Sequence, residues 1–210
     1  MNDKDSKKQL PTCLQQAGIE NGVFTSSSLE LREVPGTTVV RLHSLGNSEQ
    51  LKTAVDKAGV ELLQQTGQSS GRDPVVLCLR PKEYLLFSEQ LEPEQLIEQL
   101  EPLIDPTETS LFNNSDGLGT FRLSGPGAPW LLSKLSGLDF TVGTEQGQHC
   151  TRTRMAHAAV VINYHQTGND DSPFVFDLLF DRSLAKYIWD LLTASANHAD
   201  DLVSAFGNAA

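Results

Sequence analysis

The chain has 210 residues, enough for one large domain or two small ones packed together. Its formal net charge is −11, with no stripe of Lys and Arg to offset it, so nucleic acid is not expected as a partner. No apolar run approaches the roughly 18 residues of a membrane span, and no basic stretch leads into an apolar one, so a soluble, cytoplasmic protein without a membrane partner is expected.

Residues 1–27 read as a mostly disordered leader, the first eight carrying Asp3, Lys4, Asp5, Lys7 and Lys8 with almost nothing apolar. Strands are predicted at 29–34 and 38–43, and the turn Pro35-Gly36 between them signals a hairpin. Asn47 is placed to cap a helix from Ser48 to Ala58, with Gln50 at the capping-box position, and Gly59 ends it. Leu51, Ala54, Val55 and Ala58 share one face of that helix. A strand at 60–64 fits the pattern, and the polar 65–73 stretch reads as a loop. Strands follow at 75–79 and 84–87. Pro93 then opens a helix whose Leu96, Ile97, Leu100, Leu103 and Ile104 form a packing stripe.

After Pro106 the order restarts. Strands at about 108–113 and 118–124 flank the turn at 114–117, and a helix at 129–136 buries Leu131, Leu132 and Leu135. Strands at about 150–156, 158–165 and 174–180 follow, the last two joined by a polar loop at 166–172. A helix from Ser183 carries Leu184, Tyr187, Ile188, Leu191 and Leu192 on one stripe. Residues 197–210 read as an acidic, Ala-rich tail with room for one short helix. Val40-Arg41-Leu42 and Phe121-Arg122-Leu123 occupy the same place in the two halves. So do Tyr84-Leu85-Leu86-Phe87 and Asp177-Leu178-Leu179-Phe180. The chain therefore reads as an α+β fold built from a duplicated unit, residues 28–106 and 107–196.

Few residues suggest chemistry. Gly125-Pro126-Gly127 stands between a strand and a helix, where a phosphate-binding turn would lie. Trp130 occupies the third glycine position, however, and Pro129 removes an amide donor, so a tight turn is the simpler reading. Ser124 lacks a Gly-x-Ser-x-Gly elbow, the five histidines show no metal spacing, and Asp170-Asp171 reads as a solvated loop tip. Cys13, Cys78 and Cys150 are odd in number and widely spaced, which suits buried reduced thiols. Catalytic and metal-binding residues are not assigned. Arg152 and Arg154 are more specific, because strand periodicity puts both guanidiniums on one face about 7 Å apart. Such a pair can hold a carboxylate-bearing ligand or an acidic partner surface, or can simply line a solvated strand face. Tyr84, Trp130 and Trp189 offer either stacking surface or core packing.

The run Leu79-Arg80-Pro81-Lys82-Glu83-Tyr84-Leu85-Leu86 resembles the Leu-Gly-Pro-Asp/Glu-Trp-Leu segment of the sarcosine oxidase gamma subunit family. Phe121-Arg122-Leu123-Ser124-Gly125-Pro126-Gly127-Ala128, Cys150-Thr151-Arg152-Thr153-Arg154-Met155 and Phe176-Asp177-Leu178-Leu179-Phe180-Asp181-Arg182-Ser183 resemble later segments of that family, in its order. The family is similar in turn to the folate-binding domain of the glycine cleavage T-protein. The resemblance implies duplicated β-β-α-β-β-β-α units with antiparallel sheets. It also implies a non-catalytic, cofactor-free subunit of a heterotetrameric enzyme that demethylates sarcosine oxidatively and passes the one-carbon unit to tetrahydrofolate. The partners would then be alpha, beta and delta-type subunits, with the FAD, FMN, NAD and folate sites on the larger of them. Tyr84 stands where the family usually has Trp, and Arg80 where it has Gly. Residues 156–163 contain no acid where T-proteins carry their functional aspartate, so aminomethyl transfer by this chain is not expected. The alternative is a stand-alone T-protein-like domain that binds tetrahydrofolate between its halves, with Arg152, Arg154 and Tyr84 as the candidate ligand or partner contacts.

Overall fold

The computed structural model describes residues 11–140, 149–165 and 174–206. In chain order these form α1 (Cys13–Gln16), β1 (Val23–Thr25), β2 (Glu30–Glu33), β3 (Thr38–Ser44), α2 (Ser48–Val55), β4 (Ser69–Ser70), β5 (Val75–Arg80), β6 (Glu83–Ser88) and α3 (Pro93–Leu100). Then come β7 (Thr109–Asn113), β8 (Leu118–Ser124), α4 (Ala128–Leu135), β9 (His149–Met155), β10 (Ala158–His165), β11 (Val175–Asp181) and α5 (Ala185–Phe206). The fold is α+β, and all its strand pairs are antiparallel.

One sheet has the order β1-β2-β8-β11-β10-β9 and the other β4-β5-β6-β3-β7. Alternation along each strand sorts the side chains into layers. On β11, Phe176, Leu178 and Phe180 face a core shared with Leu131 and Leu132 of α4 and Ile188 and Leu192 of α5. On β3 and β6, Val40, Leu42, Tyr84 and Leu86 pack with Leu51, Val55, Leu96 and Leu100 of α2 and α3. The opposite faces meet between the sheets, where Val39, Leu77, Leu85 and Phe87 pack against Cys150 and Leu179. Helices thus cover the outer face of each sheet, and the inner faces pack on one another.

Four expectations are corrected. The turn at Pro35-Gly36 does not make a hairpin: β2 pairs with β8 and β3 pairs with β6 and β7, so the turn carries the chain from one sheet to the other. Val34 N–H donates to the Thr120 carbonyl (2.9 Å), and the Thr37 and Thr120 hydroxyls lie 3.0 Å apart at this crossing. Residues 11–27 are not leader. Leu14 is buried in the core, and the Glu33 carboxylate accepts from the Thr12 hydroxyl, the Cys13 thiol and the Leu14 amide, which fixes α1. Residues 60–64 bury Val60 and Leu62 without joining a ladder, whereas the stretch read as loop holds β4. The last helix is not confined to the apolar stripe, since α5 continues to Phe206. The expected loop at 166–172 lies outside the described residues.

An arginine cluster as the candidate functional site

Glu83 is the first residue of β6 and is fully buried on the inner face of its sheet. A register shift between Cys78 and Arg80 sets Arg80 opposite Glu83 across the β5–β6 hairpin, whose turn holds Lys82 at φ 69°. On the neighbouring strand His43 lies opposite Glu83, and Arg41, two residues along, points to the same face. Arg41 Nη2 and Arg80 Nε both form ion pairs with the Glu83 carboxylate. A third guanidinium approaches from the other sheet, with Arg152 Nη1 3.6 Å from Glu83 Oε1.

Burial alone would raise the Glu83 carboxyl, but the hydrogen-bonded guanidiniums of Arg41 and Arg80 outweigh it and hold the group below its ordinary value. One carboxylate faces three guanidiniums, so the cluster carries surplus positive charge. Arg41 and Arg80 keep 39% and 64% of their side-chain surface exposed. Their exposed N–H groups open on a cleft of about 320 Å³ lined also by His43, Phe112, Asn113 and Asn114. Every polar side chain in this lining can donate a hydrogen bond, and no lining residue is acidic. A second cleft of about 270 Å³ lies between the sheets and is lined by Gly67, Cys78, Cys150 and Arg152 among others.

Arg152 and Arg154 do share one face of β9, opposite Val161 and Ala159 of β10. They do not act together. Arg152 reaches Glu83, whereas Arg154 Nη2 lies 3.5 Å from the His157 carbonyl at the hairpin end. Tyr84 is only 2% exposed, with its ring in the core beneath α2 and α3 and its hydroxyl pKa raised by burial. Of stacking surface and core packing, the two roles open to it from the sequence, its position is that of core packing. Sequence reasoning missed Glu83, Arg41 and Arg80. Their signal was a charged residue inside or at the head of an apolar strand, as in Val39-Val40-Arg41-Leu42.

Three other features are structural. The Gly127 amide donates to the Ser28 carbonyl (2.9 Å) and the Gly125 amide to the Phe174 carbonyl (3.1 Å), so these turn donors are already used within the fold. Burial pushes the Cys13 and Cys150 thiols up to about 12, which leaves both protonated and unreactive at neutral pH. Arg122 binds Asp177 through two nitrogens (2.6 and 3.2 Å) and Glu89 through one (2.6 Å), a bidentate clamp on the inner face.

A chain of heterotetrameric sarcosine oxidase from Corynebacterium sp. U-96, solved in complex with pyrrole 2-carboxylate, superposes with a TM-score of 0.71 at 22% identity. The match covers 90% of this chain and 95% of that one. The chain has the fold of a sarcosine oxidase subunit. Glycine cleavage system aminomethyltransferase T from Bartonella henselae superposes with a TM-score of 0.56 at 16% identity, over 80% of this chain and 46% of that one. The shared fold is therefore about half of the T-protein and nearly all of the oxidase chain. No protein-family model and no curated protein matches the sequence.

Proposed function

We propose that this chain is a gamma-type, non-catalytic subunit of a heterotetrameric sarcosine oxidase-like complex. The observation that carries the reading is the end-to-end match to an oxidase chain, 90% of one against 95% of the other, where the T-protein match leaves more than half of that enzyme uncovered. The order strand, strand, helix, three strands, helix, met twice along the chain, supports an internal duplication as the origin of the fold. In this reading the partners are alpha, beta and delta-type subunits, the larger of them carry FAD, FMN, NAD and tetrahydrofolate, and this chain contributes a docking body inside the cell.

The arginine cluster keeps a second reading in play, a stand-alone domain that holds tetrahydrofolate by its carboxylates. Arg41, Arg80 and Arg152 supply donors for such a tail, but Tyr84 is not available to stack on a ring system. Calorimetric titration of the isolated chain with tetrahydrofolate separates the two. The subunit reading expects no saturable heat and a colourless chain that does not oxidise sarcosine. A stoichiometric binding isotherm that is lost in an Arg152→Ala variant with little change in melting would establish the second reading instead.

A further inference from the structure

The four sheet edges are not alike. β1 has three residues and β4 two, too short to template another chain. β9 carries Arg152 and Arg154, and its start is already joined to the other sheet, with the Cys150 amide 2.7 Å from the Gly67 carbonyl. β7 differs. Its sequence Thr-Ser-Leu-Phe-Asn has no charge and no proline, its pairing with β3 has no bulge, and β3 is its one ladder neighbour among the described residues. Phe112 on this edge is 54% exposed, and Leu45, whose amide donates to the Glu108 carbonyl beside the start of β7, is 77% exposed. Phe112 lies opposite Arg41 in the β3–β7 register, and Phe112 and Asn113 line the cleft with Arg41 and Arg80.

From this we infer that the free edge of β7 takes an extended acidic segment of a partner subunit, which adds as a strand while its carboxylates, on the face shared by Phe112 and Arg41, are drawn to the guanidinium cluster and its apolar side chains, on the other face, lie beside Leu111. Main-chain pairing supplies affinity in such strand addition, and the flanking side chains supply selectivity. Charge decides the occupant. The chain as a whole bears a net charge of −11, yet the ground beside Phe112 is donor-rich and carries surplus positive charge from three guanidiniums on one carboxylate. A second copy offering the same edge would bring two such clusters together and be repelled, whereas an acidic strand is attracted. An exposed Phe beside half-exposed Arg is also the composition that concentrates binding energy at interfaces.

The inference rests on the subunit reading, and its test can fail separately. The isolated chain is titrated with a short synthetic peptide alternating valine and glutamate, and with the same peptide carrying lysine for glutamate, while hydrogen exchange is followed along the backbone. The expected result is protection of the amides of residues 110–113 by the glutamate peptide alone, with affinity reduced roughly tenfold or more by Phe112→Glu. Phe112 is exposed, so this variant folds; Arg80→Gln is a second probe and should weaken binding in the same direction. Equal binding of the lysine peptide, protection elsewhere, or no protection overturns the proposal. So does concentration-dependent protection of β7 without peptide together with a dimer in sedimentation. In the native host, a tagged Phe112→Glu chain that retains its flavoprotein partner leaves the subunit reading standing and removes the edge proposal. If no partner is captured by the wild type, the subunit reading falls and the peptide experiment still decides the edge.

Discussion

Glu83 is the residue on which the inner face depends most. Replacing it with Gln removes the charge that Arg41 and Arg80 bind, and the loss should be about 2 kcal/mol in urea unfolding, because both guanidiniums are partly hydrated already. The sign with pH follows from its lowered pKa. The stabilisation is present in full above the ordinary carboxyl value of 4.5 and is lost as pH falls through the lower folded value. The stability gap between wild type and Glu83→Gln should therefore be constant near neutrality and close in acid; a gap that widens as pH falls would contradict the assignment. Gly125 is the sharpest backbone constraint, at φ 109° with an added Cβ only 2.5 Å from the Ser28 carbonyl oxygen. Gly125→Ala should cost about 3 kcal/mol, read as a lowered melting temperature. Arg152 and Arg154 show how far residue patterns reach. Period two correctly puts both on one face, but the acid that Arg152 meets lies in another sheet, about 70 residues away in sequence, and only the assembled fold brings it near.

At the scale of elements, local signals were reliable and pairing signals were not. The Asn47 cap forms as its position implies, its side chain accepting from the amides of Glu49 and Gln50 (2.9 and 3.3 Å). Asn47→Ala should destabilise the chain by about 1 kcal/mol in denaturant unfolding, with no change in the far-side sheet. The helices and most strands were legible because their apolar periods are set within one segment. The Pro35-Gly36 turn was misread because its chemistry is the same whether the following strand folds back or crosses to another sheet. What decides is which edge is vacant: β2 fills the side of β8, and β7 in turn fills the side of β3, so each sheet takes an outer strand from the other half. Residues 11–27 were misread for a related reason. Their polar composition hides Leu14, Cys13 and the Glu33 carboxylate that accepts from α1.

At the scale of the molecule, helices cover both outer sheet faces, and the inner faces are filled by apolar side chains and the two arginine–carboxylate clusters. The fold class was visible in the repeated order of elements. The arginine cluster was not, because its members come from β3, the β5–β6 hairpin and β9. No helix among the described residues is long and apolar enough to cross a membrane. Among the described residues, the donor-rich cleft and the exposed β7 edge lie side by side on a chain of net charge −11. We propose that this chain works inside a flavoprotein complex. The most direct test is affinity purification of the tagged chain from its native host, followed by absorbance and sarcosine-dependent oxidation of the recovered material. The expected result is a yellow complex of several subunits that oxidises sarcosine; a chain recovered alone, colourless and monomeric at native expression levels would contradict the subunit role.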